Sequence, residues 1–193
     1  MPATQTSCPA DNTARAAILR PLALGAHQNL VYVYNEVPPN TSTSFGHLRR
    51  YDATTGQKID IVTSGLRIDS AQLSANGQWV LFLSIPDPRT DPQHSAMLQL
   101  VRMDGQGLQT LYCAPALVNG IVVDPDSIVG HIQWSTDQQS IVFDQAATTL
   151  RLLNISNGKL TTLLSSAQSR HFYTPITWLD THQLFLSLNL PDA

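Results

Sequence analysis

The stretch Leu73 to Ser84, LSANGQWVLFLS, sets a polar turn at Ala75 to Gln78 directly before a run of apolar residues. Variants of it recur downstream, as WSTDQQSIVFD over Trp134 to Asp144 and WLDTHQLFLSL over Trp178 to Leu188. A second figure precedes each copy. LRRYDATTGQKIDIV (Leu48 to Val62), LQLVRMDGQGLQTLY (Leu98 to Tyr112) and LRLLNISNGKLTTLL (Leu150 to Leu164) each run strand, tight turn, strand. Asp or Asn with Gly closes each of these turns, because those residues tolerate the positive φ that a tight hairpin requires.

The two hairpin types alternate along the chain. The first is centred on Gly25 to Tyr34, Ser70 to Leu83, Gly130 to Phe143 and Pro175 to Leu186, and the second falls between. Together they make three and a half four-stranded units with a period of roughly 45 to 60 residues. This pattern predicts an all-β chain, a β-propeller of four-stranded antiparallel blades, present as an incomplete arc. Inner propeller strands are covered on both faces by neighbouring blades, so WVLFL and IVF are continuous apolar runs. The expected division is an N-terminal tail over 1–18 and a partial propeller over 19–193, with blade repeats at about 22–64, 65–113, 128–166 and 170–193. The tail ends in ARAAILR (Ala14 to Arg20), one or two helical turns broken by Pro21.

Composition narrows the function classes. Charged residues are 13% of the 193 residues, against about 25% in ordinary soluble domains, and the net charge is -3. The densest basic spot is Arg49-Arg50, so no nucleic-acid footprint is present. No apolar run reaches the roughly 18 residues that span a bilayer. The first residues, MPATQTSCPADNTARAA, have neither a basic start nor an apolar region and do not read as a signal peptide. Cys8 and Cys113 are too few for a disulfide framework and lack zinc spacing; they read as a free tail thiol and a thiol at a strand end, with one bridge between them as the alternative.

LSANGQWVLFLS resembles the S-P-D-G repeat of TolB-type propellers, the WD-repeat-like six-bladed group also seen in the propellers of prolyl oligopeptidases. Ser74, Asn76, Gly77, Trp79 and Phe82 match the pattern, and Ala75 replaces its Pro. The second copy keeps Ser135, Asp137 and Phe143 but loses the Gly, and RMDGQG (Arg102 to Gly107) is similar to that family's second-hairpin segment. The likeness covers about 22–190 and implies a bacterial, periplasmic or extracellular protein with a protein or small-molecule partner. A six-bladed ring needs nearly twice these blades. An open arc bares an apolar face at each end, and several hundred Å² at about 25 cal/mol per Å² is a large part of a domain's stability. The rest of the ring is therefore expected on further sequence, or two arcs associate through their open faces.

Chemistry-bearing constellations are sparse. None of the six histidines has a metal-pair spacing, and no G-x-S-x-G, H-E-x-x-H or Walker loop occurs, so neither a metal nor a cofactor is expected. His27 and His182 share one place in the repeat, a hairpin turn. Asp124 and Asp126 in VVDPDS read as turn residues. The candidates for ligand or partner contact are His131, on an inner strand, and Asp87, Arg89, Asp91 and His94 in the Pro-stiffened loop PDPRTDPQHS. The reading is a non-catalytic binding or scaffold propeller. Its alternatives are the propeller of a prolyl-oligopeptidase-like hydrolase whose catalytic domain lies elsewhere, or a propeller lyase.

Overall fold

A computed structural model of the chain describes residues 7–10, 13, 14, 16, 20–23, 28–41, 44–85, 96–115, 129–145, 148–166 and 172–189. Among them thirteen strands form four consecutive antiparallel sheets. The first holds β1 (Asn29–Glu36), β2 (Phe45–Asp52) and β3 (Lys58–Ser64); the second β4 (Arg67–Leu73), β5 (Trp79–Ile85), β6 (Met97–Arg102) and β7 (Gln109–Cys113). The third holds β8 (Val129–Trp134), β9 (Ser140–Gln145), β10 (Thr149–Asn154) and β11 (Leu160–Ser165), and the fourth the pair β12 (Phe172–Trp178) and β13 (Leu184–Asn189). Each sheet is a meander in chain order, and each packs on the next. The result is the expected propeller arc, incomplete and unclosed.

The core lies between sheets. Leu48, Ile61 and Val62 of the first sheet meet Ile68, Val80, Phe82, Val101 and Met103 of the second. Leu81, Leu83, Leu98, Leu100 and Leu111 of the second meet Ile132, Ile141, Phe143 and Leu153 of the third. Successive residues of β5 thus point to opposite neighbours, Val80 and Phe82 one way and Leu81 and Leu83 the other, all four fully buried. A strand with two covered faces has no polar side to present, which is why WVLFL does not alternate.

Turns repeat as closely as strands. Ser74 Oγ accepts from the Trp79 amide at 2.9 Å and donates to Asn76 Oδ1 at 2.8 Å; Ser135 does the same with the Ser140 amide at 2.9 Å and Asp137 at 2.6 Å. In each of the first three sheets an amide of the later hairpin's turn bonds a glutamine carbonyl just ahead of an earlier strand: Ala53 to Gln28, Met103 to Gln78, Ile155 to Gln139, at 2.9 to 3.0 Å. Gln78 and Gln138 then reach back to the preceding sheet's side of the molecule, through the Leu22 backbone and the Ala75 amide.

The cysteine expectation is corrected. Cys8 and Cys113 are joined in a disulfide, their Cα atoms 5.8 Å apart across 105 positions. The N-terminal segment lies along the second and third sheets: Ala14 is buried with Leu111, Leu153 and Ile155, and the Ala16 amide donates to the Ile155 carbonyl at 2.8 Å. Farther on, Arg102 Nη1 donates to the Arg20 carbonyl at 2.9 Å. What pulls the two cysteines together is this docking, and nothing in their spacing announces it.

Candidate functional site

The first strands of the last three sheets, β4, β8 and β12, neighbour one another along one edge of the stack, the inner edge of a propeller. Each carries a bulge. Asp69, the pair His131-Ile132 and Ile176 are the extra residues, and at His131 the backbone enters the left-handed region with φ of 41°. A bulge re-aims a side chain, and here it turns the His131 ring into solvent, 57% exposed.

His131 Nδ1 lies 3.1 Å from Asp144 Oδ1, whose carboxyl is 5% exposed. Burial pushes the Asp144 carboxyl above the ordinary carboxylate range, and the imidazole opposes that shift. A carboxylate accepting the Nδ1 proton leaves Nε2 as the accessible nitrogen, with its lone pair toward solvent. Gly130 opposite keeps room for this arrangement, since a Cβ there would sit 3.0 Å from Asp144 Oδ1. Such an oriented imidazole can accept a hydrogen bond or a proton from a bound molecule. On the same inner strands, Ser70 Oγ, Trp134 Nε1 and Trp178 Nε1 are buried with no partner among the described residues.

Of the expected contact residues, His131 is thus on the inner edge as anticipated, while Asp87, Arg89, Asp91 and His94 lie outside the described residues, as do His27, Asp124 and Asp126. His182 occupies the β12–β13 turn, its amide bonded to Asp180 Oδ1 at 2.7 Å. Among the described residues no group of three His, Cys, Asp or Glu side chains could hold a metal. Asp144 was missed. Its signal was an acidic residue closing the apolar run IVF opposite a glycine.

The two end faces of the arc differ. On the first sheet, strand pairing puts Tyr32, Tyr34 and Glu36 on one side with His47, Arg49 and Asp60, away from Leu48 and the core. Tyr34 stacks on His47 with centroids 4.4 Å apart, Arg49 lies 4.6 Å over the Tyr34 ring, and Glu36 Oε1 is 3.2 Å from His47 Nε2. Arg49 also binds both Asp60 oxygens, which holds that carboxyl below its ordinary range. This face carries its own polar and aromatic pairs beside an exposed Leu30, where a continuous bare apolar surface was expected. The far end fits that expectation: Phe172, Ile176, Phe185 and Leu188 of the last hairpin and Leu163 and Leu164 of β11 are all exposed.

Arc, sheets and inner edge together define a β-propeller-like chain. No family model and no curated protein matches its sequence. Among solved structures it is similar to an oligogalacturonate lyase in complex with manganese (TM-score 0.52, 12% identity, 76% of this chain and 41% of that one). It is likewise similar to the β-propeller domain of the Trilobed protease from Pyrococcus furiosus, with its open velcro topology (TM-score 0.52, 8% identity, 83% and 50%). A putative TolB from Agrobacterium tumefaciens also matches (TM-score 0.47, 16% identity, 69% and 45%). The chain spans half or less of the length of each. The two likenesses at a TM-score of 0.52 show a propeller fold.

Proposed function

We propose that the chain is a non-catalytic, TolB-like propeller module that binds a protein or small-molecule partner, in a periplasmic or extracellular setting, with its open apolar face occupied by propeller strands. In a preparation of this chain alone those strands are a second copy's. The observation that carries the reading is one repeat position seen three times. The bulge residue of the outer strand is Ile61 in β3, Leu111 in β7 and Leu163 in β11. Ile61 is 3% exposed and Leu111 2%, but Leu163 is 41% exposed. The first two are covered by what packs beyond them, and the third awaits an equivalent cover. A compartment that sustains disulfides suits the Cys8–Cys113 bond, and no described helix is long and apolar enough to cross a membrane.

Solution mass tests the reading. A species of twice the 21.1 kDa chain mass, or higher association that falls off on dilution, is expected. A stable monomer with a cooperative melt would overturn the occupied face. A second reading, the propeller of a hydrolase or lyase, is favoured by one observation, the oriented His131 imidazole over buried Asp144. Loss of turnover in a His131→Ala variant, with the melt unchanged, on oligogalacturonate or a peptide ester would select it.

A further inference from the structure

We propose that the groove between β7 and the β10–β11 hairpin is a peptide-binding groove, and that the N-terminal segment, through Cys8 to Ala10, Thr13, Ala14 and Ala16, is its resident occupant. The segment meets the groove through a side chain and through its main chain. It puts one small apolar side chain into the groove, Ala14 against Leu111 and Leu153, and makes a main-chain hydrogen bond from the Ala16 amide to Ile155. Before Ala14, the Thr13 amide and hydroxyl donate to the Ala10 carbonyl at 3.1 and 2.6 Å. None of these described residues belongs to a strand of the sheets. The fit is incomplete: a cavity of about 30 Å³ remains, bounded by Pro9, Ala10, Ala14, Leu111 and Leu160. The groove therefore takes a peptide with a larger aliphatic side chain at the Ala14 place more tightly than its own segment.

The disulfide decides which occupant wins. Tying Cys8 to Cys113 raises the segment's effective concentration above that of a competing peptide, and Cys8 is exposed to reductant. A dithiol's thiolate attacks the Cys8 sulfur, the S–S bond breaks, and the Cys113 thiolate leaves and is protonated. The second dithiol sulfur then displaces Cys8 as a thiol, so two electrons pass to the protein and the dithiol ends as a cyclic disulfide.

The probe is a labelled synthetic peptide of residues 5–17 carrying Cys8→Ser, titrated by fluorescence anisotropy into the full chain. The oxidised protein is expected not to bind it. A full-chain Cys8→Ser, Ala14→Asp variant, whose own segment neither ties nor seats, is expected to bind it saturably. Reduced parent protein falls between, at least 10-fold tighter than oxidised. A peptide with Ala14→Val binds several-fold tighter, and one with Ala14→Asp not at all. Equal binding to oxidised and reduced parent, no binding to the double variant, or indifference to the residue at the Ala14 place would each overturn the proposal. So would global unfolding on reduction, read by the loss of a cooperative melt in both the reduced parent and the disulfide-intact Ala14→Asp chain.

Discussion

Ser74 and Ser135 are conserved in role between the two copies because a buried hydroxyl can serve two partners at once. Each is nearly inaccessible, 5% and 3% exposed, accepts a strand-entry amide and donates to the turn Asn or Asp. Ser135→Ala strands the Ser140 amide and is expected to cost about 1 to 3 kcal/mol in denaturant unfolding. The Ser135 hydroxyl is also the main reason the Asp137 carboxyl sits below its ordinary range, so an NMR titration of Asp137 moves upward in the same variant. Asp144 runs the other way. Its raised folded value means the folded chain holds the proton more firmly than the unfolded one, so this group's contribution falls as pH rises from about 4 through its raised value. Asp144→Asn removes that slope while keeping an acceptor for His131. The stability difference between variant and parent is expected to move in favour of Asn with rising pH, and a difference independent of pH between 4 and 7 would refute the assignment.

Strands meet across sheets at places where a side chain does not fit, and Gly46 in β2 is the tightest. A Cβ there would lie 2.6 Å from the Ile68 amide nitrogen and the Leu66 carbonyl oxygen, where the chain crosses from the first sheet to the second. Asn35 locks the same crossing, donating to and accepting from the Ile68 backbone at 2.8 Å each way. Gly46→Ala is expected to lose about 2 to 4 kcal/mol by thermal or urea unfolding, the range of a forced backbone shift in a packed interior; a loss under 0.5 kcal/mol would show that the crossing gives way freely. The strands themselves were legible in the sequence, because turn chemistry and unbroken apolar runs are local signals. Nothing local marks Gly46 as the crossing glycine. The Cys8–Cys113 bond was illegible for the same reason: proximity across 105 positions is a product of how the N-terminal segment docks. His131 was legible as an inner-strand residue, whereas its partner depended on a bulge that shifts register by one residue.

An arc of blades differs from a ring in that equivalent positions are no longer equivalent, and the molecule records this at its outer strands. Ile61, Leu111 and Leu163 occupy the same bulge in three successive blades, and only Leu163 is open to solvent. On that open side β12 packs against β8, β9 and β10, while no described strand packs closely over β11, so the uncovered area goes with two described strands where four would complete the blade. A charge introduced at the three positions should therefore read out three environments. Ile61→Lys and Leu111→Lys bury an ammonium among apolar neighbours and are expected to abolish a cooperative melt or lower stability by about 3 kcal/mol or more. Leu163→Lys in the isolated monomer leaves stability within about 0.5 kcal/mol, yet lowers self-association measured by sedimentation, since the charge then stands where an occupying strand would pack. Should Leu163→Lys destabilise a dilute monomer as strongly as Leu111→Lys, the outer face of the third blade is covered within the chain and the arc is less open than its described strands make it.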